Sequence, residues 1–177
     1  MNTAHKAFSL FEILITIAAI FIFVTLTIPK FSFIDKFILQ NEVDKLFTTF
    51  SYLQQKAIAQ NNVQELIFDL NKNGYYFLEK GNKKFCILPN KVLFGVLNNV
   101  LGPPSSPKKK IKFPISFEKL NVYKFRVIFF PDGKISSGSV FLINKNKNHL
   151  MALSCPVSPF SCIRKYKYEN NRWVSLK

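Results

Sequence analysis

Histidine is almost missing from this 177-residue chain, which holds only His5 and His149. Neither a histidine-based nucleophile and base nor a histidine-rich metal site can be built from so few imidazoles. His149, beside Leu150 and Met151, reads as a packed strand residue. The three cysteines, Cys86, Cys155 and Cys162, have no C-x-x-C spacing. No G-x-x-x-x-G-K-S or G-x-G-x-x-G run exists to cradle a phosphate. The chain is therefore expected to be no enzyme, with no cofactor and no metal. Acids are also scarce, 10 against 25 basic residues, for a net charge of +15. Lysine outnumbers arginine 22 to 3, and with so much Asn, Ile and Phe the basicity fits either an AT-rich coding sequence or a polyanion partner.

What the chain does have is a long apolar run near its start. Phe8 to Ile28 are 21 residues whose only ionisable side chain is Glu12, and Pro29 ends them. At ~1.5 Å rise per residue such a helix is expected to span a ~30 Å hydrocarbon core. A lone carboxylate there is costly enough to need a partner. A secretory signal peptide is a competing reading, but its apolar region is shorter and carries no acid. An ordinary single-pass anchor competes on length and hydropathy. Charge counting does not fix orientation, because Lys6 precedes the run while Lys30 and Lys36 follow it.

Lys6, Phe8, Ser9, Leu10, Glu12 and Pro29 resemble the amino terminus of type IV pilins and of the pseudopilins of type II secretion. The departure is Ala7, where that superfamily usually has Gly; Ala keeps the position small. The resemblance implies that a prepilin peptidase cuts between Ala7 and Phe8 and methylates the new Phe8 amine. Glu12 would then meet the amine of a neighbouring subunit. It further implies a bacterial inner-membrane protein with a single pass, a periplasmic carboxy-terminal domain and other pilins or pseudopilins as partners.

After Pro29, the residues Leu39, Val43, Leu46, Phe50, Leu53 and Ala57 recur at spacings of four and three, which predicts an amphipathic helix stopped by Asn61-Asn62. Continuous with the apolar run, it would form one rod over residues 8 to 60, roughly 80 Å long. Strands are expected at 63–70 and 75–79 around Asn73-Gly74, then at 85–88, 92–96, 111–117, 122–130, 134–143, 149–153, 164–168 and 173–176. Pro131-Asp132-Gly133 and Asn170-Asn171 mark turns, and the Gly- and Pro-rich stretch from 98 to 110 a loop. The expected organisation is a leader (1–7), a transmembrane helix (8–28), an amphipathic helix (29–61) and an antiparallel β-rich domain (62–177). Its fold class would be α+β, with the long amino-terminal helix packed on the β-domain.

Phe130-Pro131-Asp132-Gly133 followed by Ser137 to Leu142, together with Gln54 to Asn61, resembles minor pseudopilin H and FimT-like minor pilins more weakly. That resemblance implies a subunit of a secretion pseudopilus, or alternatively a minor pilin that binds DNA during uptake. Residues 108–177 carry fifteen basic against three acidic residues, and residues 1–107 ten against seven. Lys108, Lys109, Lys110 and Lys112, with Arg164, Lys165 and Lys167 and interleaved Tyr166, Tyr168 and Trp173, could grip a nucleic-acid backbone. Strand alternation would instead divide Arg164 from Lys165 and Lys167. Cys155 and Cys162 could close a disulfide across Pro156 and Pro159 in an oxidising compartment, or all three thiols could stay unpaired.

Overall fold

The computed structural model describes residues 9–27, 31–102, 110–157 and 162–176. It divides into two units, Met1–Ile34 and Asp35–Lys177. Two helices replace the expected single rod: α1, Leu10–Thr27, of 18 residues, and α2, Phe31–Gln60, of 30. Ser9 opens α1, its carbonyl accepting from the Glu12 N–H at 2.9 Å and its Oγ lying 3.4 Å from the Phe11 nitrogen. The helix therefore starts two residues later than the apolar run. At ~1.5 Å per residue its rise is about 27 Å. Among the described residues no helix is long and apolar enough to cross a membrane. The expected fold class, the transmembrane segment and the single-pass inner-membrane location are corrected accordingly.

In α2 the heptad-like spacing does what its chemistry demands. Leu39, Val43, Leu46, Phe50, Leu53 and Ala57 are all fully buried. Burying each large side chain contributes roughly 1.5–3 kcal/mol, so this stripe decides which face turns inward. The helix stops where Asn61 takes a left-handed φ of 47° and the Asn62 N–H donates to the Ala57 carbonyl at 3.1 Å.

The rest of the second unit forms two antiparallel five-stranded sheets. In chain order the strands are β1 Gln64–Asp69, β2 Gly74–Glu79, β3 Asn82–Ile87, β4 Val92–Phe94, β5 Glu118–Lys119, β6 Lys124–Phe129, β7 Gly138–Asn144, β8 Leu150–Cys155, β9 Arg164–Glu169 and β10 Arg172–Leu176. One sheet runs β3-β2-β1-β6-β5 and the other β10-β9-β8-β7-β4. The α2 stripe shares a single core with Leu66, Phe68, Val127 and Phe129 of the first sheet and Val140, Leu142, Met151 and Leu153 of the second. Phe50 sits at its aromatic centre, edge-on to Phe129 at 5.3 Å between ring centroids.

β7 and β8 lack polar alternation because both faces of the second sheet are covered. On the far face Phe141, Ile143, Leu150, Ala152 and Tyr166 pack with Val100, Ile111 and Trp173. Trp173 Nε1 donates to the Leu101 carbonyl at 2.9 Å, tying the last strand to that cover. The expected strand at 111–117 is reduced to a bridge between Ile115 and Val140, since Pro114 has no N–H for a ladder. Gly138 is required where it stands: a Cβ there would lie 2.4 Å from the Phe117 ring.

Candidate functional site

Ala7 and Phe8, the expected cleavage and methylation positions, lie outside the described residues. Glu12 lies in the first turn of α1, where a helix amino terminus favours negative charge. The rest of α1 carries no ionisable side chain and no polar face. Leu10, Phe11, Ile20, Ile22 and Phe23 are between 60 and 81 % exposed, and at ~100° per residue they lie on all sides of the helix. A helix apolar all round is stable only when something covers it all round.

The basic residues divide between two faces of the second sheet. Lys108 and Lys109 lie outside the described residues. Lys110 and Lys112 are exposed, flanking Ile111, which packs on the far face of the second sheet. Arg164 is exposed on that same side, alternating with Lys165 as Tyr166 does. Lys165 and Lys167 point the other way, toward α2. Lys165 Nζ donates to Asp44 at 2.7 Å and sits 4.9 Å from the Phe47 ring centroid. Lys167 donates to Glu169 at 2.5 Å. Their side chains are only 16 % and 12 % exposed, so they are structural cations rather than a surface for phosphates. Hydrogen bonding from Lys167 holds the Glu169 carboxyl below the usual carboxylate range.

All three cysteines are free thiols in this structure. Cys155 is buried, and burial pushes its thiol up to about 12, with Cys162 nearby adding to the shift. A thiol held protonated is a poor nucleophile.

Sequence reading missed the acids that order α2. Asp35, only 8 % exposed, accepts from Asn146 Nδ2 at 2.8 Å and lies 3.5 Å from Lys91 Nζ. Asp44 takes Lys165. The available signal was their place beside the apolar stripe, where a polar residue faces the rim of whatever the helix covers. Sequence reading also missed a row on the outer face of the first sheet, where Phe85, Tyr76 and Ile67 stand in register. The Tyr76 and Phe85 rings lie 4.8 Å apart, with Lys83 Nζ 5.6 Å from the first and Lys72 Nζ 5.0 Å from the second.

No family model, no curated protein and no solved structure matches this chain.

Proposed function

We propose that this chain is a structural filament subunit of the minor pilin or pseudopilin kind, joined to other subunits through α1. The observation that carries the reading is the uncovered apolar surface of α1, with one carboxylate at its first turn. Parallel copies of such a helix cover one another. Each Glu12 then needs a cation at the same end of the bundle, because a carboxylate removed from water without one is strongly disfavoured. A free Phe8 amine, made by a prepilin peptidase cutting after Ala7, is that cation. The mechanism is helix bundling, with no covalent step by the chain itself. In a pseudopilus of the type II secretion kind, such a subunit would prime or cap the filament. The alternative of DNA uptake is not carried forward, since Lys165 and Lys167 are engaged by Asp44 and Glu169.

Mass spectrometry of the mature chain recovered from its host tests the reading. The expected product begins at N-methylated Phe8. A mature protein that keeps Met1 to Ala7 overturns it.

A further inference from the structure

We propose that the free edge of β3 takes up an extended acidic segment of another protein as a sixth strand of the first sheet. The inference is independent of how α1 is covered.

β3 is the last strand of its sheet. Its register pairs Gly74 with Ile87 and Glu79 with Asn82, and one step further the Leu88 N–H donates to the Asn73 carbonyl at 2.9 Å. Hydrogen-bonded and non-bonded pairs alternate in an antiparallel ladder. Cys86, Lys84 and Asn82 therefore spend their backbone groups on β2, while Lys83, Phe85 and Ile87 present theirs outward. No described strand meets them. Edges of this kind are usually shortened, bulged or covered; this one is six residues long, and Ile87 is 71 % exposed.

Room for a further strand exists beside it. A groove of about 650 Å³ separates the flank of α2 from the β3 edge, lined by Asn41, Glu42, Lys45 and Thr48 on the helix and Cys86 and Ile87 on the strand. A new strand lies about 4.8 Å from its neighbour and directs alternate side chains to opposite faces. One set would enter this groove and the other would lie beside Phe85 on the outer face. The two environments differ in charge. Glu42, only 8 % exposed, already has Lys45 at 2.6 Å, and Asp44, which also lines the groove, has Lys165 at 2.7 Å, so the groove needs no further ion. Lys72 and Lys83 have no carboxylate partner among the described residues, and both ammonium groups stand over outer-face rings. The occupant that fits has acids at alternate positions on the outer side and uncharged residues on the groove side. A single-stranded nucleic acid fits less well, because bases stacking on Tyr76 or Phe85 would have to displace the ammonium groups already over those rings.

The test uses the full chain, ¹⁵N-labelled in a non-ionic detergent, and the peptide acetyl-Thr-Glu-Val-Glu-Val-Glu-Thr-amide. Saturable shifts of the Lys83, Phe85 and Ile87 amides are expected. Lys72→Glu with Lys83→Glu should weaken binding about tenfold or more and favour the same peptide with Lys in place of Glu. N-methylating alternate peptide residues on the pairing side should abolish binding. The proposal is overturned if the amides show no saturable shift at millimolar peptide, if the charge reversal or the N-methylation leaves affinity unchanged, or if oligothymidylate shifts these amides at lower concentration than the peptide.

Discussion

α1 and α2 are neighbours in sequence and opposites in physical design. α1 is apolar on every side, and its residues through Thr25 are exposed; α2 is apolar on one stripe, and that stripe is fully buried against two sheets. A one-sided helix finds its partner in its own chain. An all-round apolar helix needs cover on every face, which a single packed surface does not supply. Folding of the second unit rests on α2, and assembly is the role proposed for α1. The acids divide in the same way: Asp35 and Asp44 have lysine partners within the chain, whereas the counter-ion proposed for Glu12 comes from another subunit.

The comparison breaks most visibly at Phe50. Phe50→Ala empties the centre of the aromatic core and should lower unfolding free energy by about 3–5 kcal/mol in urea titrations. Gly138→Ala pushes a methyl into Phe117 and should cost about 1–3 kcal/mol by the same measurement. Alkaline titration probes burial in the second unit without a mutation. Burial raises Tyr75 from 10.0 to about 12 and Cys155 from 9.0 to about 12. Each group binds its proton more tightly folded than unfolded, so its stabilisation is complete below the unfolded value and is lost as pH rises toward 12. Stability should fall above pH 9 by about 1.4 kcal/mol per pH unit for Cys155, with Tyr75 adding above pH 10. Cys155→Ala should remove the first part of that slope. Asp44→Ala breaks a half-exposed ion pair and should cost about 1 kcal/mol or less, shrinking further in salt. Smallest of all, Phe21→Ala in α1 should change unfolding of the second unit by under about 0.5 kcal/mol while weakening self-association in sedimentation.

The α2 stripe was legible because spacings of four and three define one face whatever lies against it. The turn at Asn170-Asn171 was legible for a local reason, since asparagine tolerates the positive φ values of 50° and 58° found there. The turn at Lys80-Gly81 was missed, because lysine at φ 50° carries no turn signal and only Gly81, at φ 81°, supplies one. That omission hid the amino-terminal half of β3, and with it the free edge. The division of the basic cluster was legible too, because one residue of offset along β9 sends Arg164 and Lys165 to opposite faces; what the sequence could not show is that Asp44 of α2 waits for Lys165. The apolar run misled on length. Ser9 caps the helix, so it begins at Leu10, and the run the sequence offers as 21 residues becomes a helix of 18.

The most direct test of the division between the two helices is photo-crosslinking of the full chain, with benzoylphenylalanine in place of Phe21. Covalent dimers and higher ladders are expected, with crosslinked peptides that map to α1 of a second copy, and both should be lost in Glu12→Ala. Crosslinks that map only to residues 35–177 of the same chain, or a chain that stays monomeric, would contradict it.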